Sequence, residues 1–74
     1  MILPDRLKSL RKSKRLTQDQ LAERLSIGVQ TIKRYETGKQ DASSTHVVLI
    51  ADFFNVSTDY LLGRSESSHM QNVS

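Results

Sequence analysis

Residues 17–38, TQDQLAERLSIGVQTIKRYETG, constrain this chain more than any other stretch. Thr17 is a good helix N-cap, and Gln20 completes the Thr-x-x-Gln capping box. Leu21, Ala22 and Leu25 then recur at helical spacing, which gives the first helix one apolar face. Ser26-Ile27-Gly28 interrupts the pattern. A second helix is expected from about Val29 to Glu36, with Ile32 and Tyr35 on its inner face and Gly38 as its stop. Helices this short are not stable alone in water. They must pack on each other, crossing steeply where Ala22 is small enough to permit close approach.

The flanking residues supply the rest of the core. Pro4 suits the first turn of a helix, where its missing N–H costs nothing, and Asp5 sits favourably at that helix's positive end. Leu3, Leu7 and Leu10 form an inner stripe, while Arg6, Lys8, Lys12, Lys14 and Arg15 are expected to point outward. After Gly38, Lys39 to Ala42 reads as a loop. Ser43 or Ser44 can cap a fourth helix with Val47, Ile50, Ala51 and Phe54 on one face, ended by Asn55. Ser57 caps a last short helix, TDYLL, stopped by Gly63. No segment carries β patterning. The expected fold is all-α, a compact bundle of five short helices in a single domain over 1–63, followed by a polar tail over 64–74 expected to be disordered.

Helices two and three together make a helix-turn-helix. At Gln18, Ala22, Leu25, Ile27, Ile32, Tyr35-Glu36 and Gly38 the chain resembles the Cro and phage-repressor class, also called XRE-type. The similarity continues through LKSLRKSKRLTQ before the motif and IADFFNVSTDYLLG after it. The resemblance implies a lambda-repressor-like DNA-binding domain that lays its third helix in the major groove. It also implies an internal ion pair, Arg11 with Glu36, joining helix one to the end of helix three. The family usually has glycine where this chain has Ser26, because the turn there tends toward positive φ.

Charge distribution fits a polyanionic partner. The net charge is only +3, but residues 1–40 carry ten Lys/Arg against four Asp/Glu, and residues 41–74 carry one against four. A basic N-terminal half and a mildly acidic remainder suggest one face for nucleic acid and another for something else. There is no cysteine, hence no disulfide or thiolate chemistry. No apolar run approaches the length of a membrane span, and no signal-like segment is seen, so a soluble cytoplasmic protein is expected.

The base-edge candidates are Val29, Gln30 and Arg34, at the start and on the outer face of the recognition helix. A glutamine amide donates and accepts together and can read adenine, as Arg34 can read guanine O6 and N7. Val29 has no polar atom and can only meet a thymine methyl or fill space. Gln18, Thr31, Lys33, Lys39 and Gln40 are the candidates for the DNA backbone. In the family, the first glutamine braces the sugar-phosphate chain and helps position the second. Read without the family, Gln18 and Gln30 are ordinary polar surface residues.

The remaining chemistry is sparse. His46 and His69 lie far apart without Cys or His partners, so no metal or other cofactor is expected. No nucleophile–base pair, paired carboxylates or phosphate-cradling loop occurs, and no enzyme or small-molecule site is expected. Helix four has more apolar residues than one face needs, and Leu49 and Phe53, with Tyr60, are candidates for a homodimer interface. The function expected is a sequence-specific transcriptional regulator binding a two-fold operator in double-stranded DNA as a dimer, a repressor that blocks polymerase or else an activator that contacts it. The alternatives are an antitoxin-like protein-interaction module and a non-specific nucleic-acid binder.

Overall fold

The computed structural model describes residues 2–66. Within them the chain forms α1 (Ile2–Ser13), α2 (Gln18–Leu25), α3 (Val29–Thr37), α4 (Ser44–Phe54) and α5 (Thr58–Leu62), and no strand. His69 and the rest of the expected tail from 67 onward lie outside the described residues. No helix among them is long and apolar enough to cross a membrane.

Side-chain caps start α2, α4 and α5, whereas α3 begins at Gly28 without one. Thr17 accepts from the Gln20 backbone while the Gln20 side chain accepts from the Thr17 backbone, the full capping box. Ser43, not Ser44, caps α4 by accepting from His46 N, and Ser57 caps α5 by accepting from Tyr60 N. These bonds satisfy backbone donors that the first turn cannot.

A single device ends all five helices. One residue enters the left-handed region (Arg15, Ser26, Gly38, Asn55 and Gly63). The next N–H then reaches back five residues: Leu16 to Arg11 O, Ile27 to Ala22 O, Lys39 to Arg34 O, Val56 to Ala51 O and Arg64 to Asp59 O, at 2.7–3.2 Å. These are Schellman closures, in which an apolar residue after the left-handed one folds back onto its helix. Leu16, Ile27 and Val56 fill that role, and the last two are buried. Ser26 adopts φ 56° and ψ 38° without the help of a glycine. The sequence alone did not flag Arg15, which has φ 57°.

The core gathers one stripe from every helix: Leu7 of α1, Leu21, Ala22 and Leu25 of α2, Ile32 and Tyr35 of α3, Val47, Ile50, Ala51 and Phe54 of α4, and Leu61 of α5. α3 packs against both α1 and α2, and α5 against both α1 and α4, so α1 lies between α3 and α5. At full burial each large aliphatic side chain contributes roughly 1.5–3 kcal/mol.

One tertiary feature departs from the sequence expectation. Arg6 does not point outward: its side chain is only 16% exposed. It donates to Tyr60 O and, at 2.8 Å, to Ser65 O. It also bonds Glu66 at 3.1 Å, and its guanidinium sits 4.0 Å from the Tyr60 ring centroid. Ser65 and Glu66, grouped with the tail on composition, are therefore held to α1. His46 is half-buried, and its Nδ1 lies 2.6 Å from Tyr35 Oη, giving the buried phenol its polar partner.

Candidate nucleic-acid interface

Helical periodicity divides α3 into two faces. Ile32, Tyr35 and Glu36 point inward and are at most 3% exposed, while Gln30, Lys33, Arg34 and Thr37 are exposed. Gln30 and Arg34 are one turn apart, as are Lys33 and Thr37, so each pair stands in a row with about 6 Å of rise between its members. Thr31 and Val29 are half-buried. Val29 packs against the core, so its side chain is largely spent on seating the first turn of α3.

The only acid in α3 is hidden. Glu36 Oε2 accepts from Arg11 Nε at 2.7 Å, and Oε1 accepts from Arg11 Nη2 at 3.1 Å, a two-pronged pair whose side chains are 1% and 11% exposed. Arg11 Nη1 also donates to Leu16 O at 2.8 Å, which fixes the guanidinium from a second side. With its carboxylate neutralised inside, α3 presents only the cations Lys33 and Arg34 to solvent. That suits a phosphate-lined groove.

Gln18, the first residue of α2, is brought to the same place. Its Nε2 donates to Glu36 Oε1 at 3.1 Å. The start of α2 and the end of α3 are thus joined through one carboxylate. The sequence signalled the Arg11–Glu36 pair through the family resemblance, but nothing in it signalled this third member.

The loop after α3 is closed tightly. Gly38, at φ 77°, turns the chain, and Lys39 N bonds Arg34 O at 3.0 Å. The Lys39 backbone donor is therefore already used, and only its exposed ammonium remains for a phosphate; Gln40 is exposed beside it. Thr37 Oγ1 donates to Lys33 O and Arg34 O.

The dimer candidates lie on α4 and α5. Leu49 is 40% exposed. Phe53, one turn on, is half-buried, edge-on to Phe54 with centroids 5.0 Å apart, and Lys14 Nζ stands 5.9 Å from its ring. Tyr60 is half-buried, and Arg6 covers one face of its ring. Two further exposed apolar residues, Val48 and Leu62, line a shallow groove of about 350 Å³ with Ala42, Ser44, Val47 and Thr58. The uninterrupted apolar run from Val47 to Ala51 was the available signal, since a helix apolar on all sides cannot bury every face in so small a domain. No group of three or more potential metal ligands occurs among the described residues.

A helix-turn-helix family model matches residues 7–61. The chain is 40% identical over 68 residues to the HTH-type transcriptional regulator ImmR of Bacillus subtilis, covering 92% of this chain and 54% of that protein. It is 33% identical over 73 residues to the cryptic phage CTXphi transcriptional repressor RstR of Vibrio cholerae, covering 99% of this chain and 65% of RstR. It is 39% identical over 62 residues to the HTH-type transcriptional activator BcrR of Enterococcus faecalis, covering 84% of this chain and 30% of BcrR. The chain thus spans between about a third and two thirds of the length of these relatives.

Proposed function

Because the chain belongs to the XRE-type helix-turn-helix family, we propose that it is a sequence-specific regulator of transcription that places α3 in the major groove of double-stranded DNA. The observation that carries this reading is the outer face of α3. Gln30 and Arg34 stand exposed one turn apart on it, and these two side-chain types can each engage a base edge bidentately, on adenine and guanine respectively. Val29 contributes apolar contact at the start of the same helix.

Gln18, Thr31, Lys33, Lys39 and Gln40 hold the sugar-phosphate backbone and set the register of α3 in the groove. Two copies act together on a two-fold operator, joined through Leu49, Phe53 and Tyr60 on α4 and α5. Bound there in the cytoplasm, the dimer represses by occupying the promoter. Support for repression comes from RstR, a named repressor that aligns with 99% of this chain.

The test is selection of bound duplexes from a random DNA pool at stated salt. A two-fold consensus with half-sites about one helical turn apart is expected. Equal retention of all sequences would favour the non-specific binder. Absence of retained duplex would favour the interaction module.

A further inference from the structure

We infer that Glu36 is a positioning residue for DNA binding: its carboxylate sets which end of the Gln18 amide faces the phosphate backbone. This rests on the proposal that Gln18 meets DNA. A glutamine side chain has nearly the same shape when its oxygen and nitrogen are exchanged, so only hydrogen-bond partners decide between the two orientations. A carboxylate can only accept. Glu36 Oε1, 3.1 Å from Gln18 Nε2, therefore fixes the NH2 group toward itself and the carbonyl away from it.

The carboxylate cannot turn aside to release that choice. Both its oxygens are held by Arg11, at 2.7 and 3.1 Å, and Arg11 is itself anchored to Leu16 O at 2.8 Å. Glu36 is buried, whereas Gln18 is half-exposed at the first position of α2. One amide N–H is thus engaged inward and the second remains as a donor at the surface. A donor at that position suits an anionic phosphate oxygen. The flipped amide would point two lone pairs at Glu36 and be repelled. The buried ion pair therefore does more than join α1 to α3: it selects the polarity of a neutral side chain at the interface.

The test compares the wild type with Glu36→Gln, Gln18→Ala and the double variant on one selected duplex, at a temperature where circular dichroism finds each folded. Glu36→Gln keeps the shape but lets either end of the new amide face Gln18, so polarity is no longer fixed. Loss of about threefold to tenfold in affinity is expected when Gln18 is present, as for one hydrogen bond. Little further loss is expected in the Gln18→Ala background. Equal losses in both backgrounds would overturn the inference, because a role in packing alone is additive.

Should Glu36→Gln not fold, the wild-type protein itself carries the second measurement. The side-chain amide protons of Gln18 in a 1H–15N spectrum are expected to be shifted from those of exposed Gln40 and to exchange more slowly. Coincidence of the two sets overturns the inference. A wild type that retains no duplex in the selection overturns the DNA reading and the role with it, whatever the amide protons show.

Discussion

Tyr35 Oη and His46 Nδ1, on α3 and α4, stand 2.6 Å apart with their rings edge to face and centroids 5.8 Å apart. The tyrosine is 1% exposed, so this bond is the means by which a phenol at the centre of the core keeps a polar partner. Tyr35→Phe preserves the ring and removes the oxygen. It is expected to lower stability by about 1 kcal/mol, read as a shift in urea midpoint without a change in slope. An unchanged midpoint would mean that water serves His46 and Tyr35 equally well.

Breaking the Arg11–Glu36 pair leaves a charge where water barely reaches. Arg11→Met and Glu36→Gln are each expected to cost about 3 kcal/mol or more, enough to unfold much of so small a domain at physiological temperature. The double variant should cost less than the sum of the two. Thermal melts of all four proteins decide this, and strict additivity would show that the two side chains do not interact.

Readout and grip should separate by mutation. Gln30→Ala and Arg34→Ala are each expected to cost about 1–3 kcal/mol on the selected site and to relax preference at particular base pairs. Lys39→Ala should weaken every sequence alike and reduce the salt slope by roughly one unit. Titrations of selected and scrambled duplexes at several salt concentrations distinguish these outcomes. Wild-type affinity in both Gln30→Ala and Arg34→Ala would remove α3 from the interface.

The left-handed helix ends give changes of opposite sign. At Ser26 an L side chain sits at φ 56°, and Ser26→Gly should stabilise by up to about 1 kcal/mol, the relief of strain being partly offset by glycine's greater freedom when unfolded. At Gly63, φ is 84° and a Cβ would come within 2.7 Å of Ile2. Gly63→Ala should destabilise by more than about 1 kcal/mol. Adding Ile2→Ala should recover only part of the steric cost, because the Cβ of residue 2, at 2.9 Å, remains. Chemical denaturation measures all of these variants.

For dimerisation, Leu49→Glu is the cleaner probe, because Leu49 is more exposed than Phe53 and its loss disturbs less packing. Sedimentation should find the wild type self-associating and Leu49→Glu shifted toward monomer, with weaker binding to a two-fold site. Monomeric wild type at high concentration, binding one subunit per site, would end the dimer proposal.

Much of this fold is legible because its punctuation is local. Thr17 with Gln20, Ser43 and Ser57 cap through bonds that span three residues, and Gly38, Asn55 and Gly63 are residue types that tolerate positive φ. Arg15 carried no such signal, since an arginine enters that region only when the surrounding closure holds it there. The side-chain network was legible in part. Arg11 and Glu36 could be paired through family resemblance, but Gln18 could not be joined to them, because a surface amide is equally at home in water. Arg6 and Tyr60 are far apart in sequence, and a cation on an amphipathic helix reads as solvated until the fold supplies a ring and two carbonyls to receive it.

The joint made by Arg6 and Gly63 also bears on the order in which the molecule assembles. α2 and α3 meet across a span of about twenty residues, whereas Arg6 meets Ser65 and Glu66 across 59 and 60. Closing the longer span costs about 1 kcal/mol more in chain entropy, and it joins the first described helix to the last. The α1–α5 seam should accordingly zip last in folding and part first in fluctuation. Amide protons of α5 should then exchange through a partial opening that leaves the α2–α3 hairpin protected, so the surface proposed to read DNA should persist through that breathing motion.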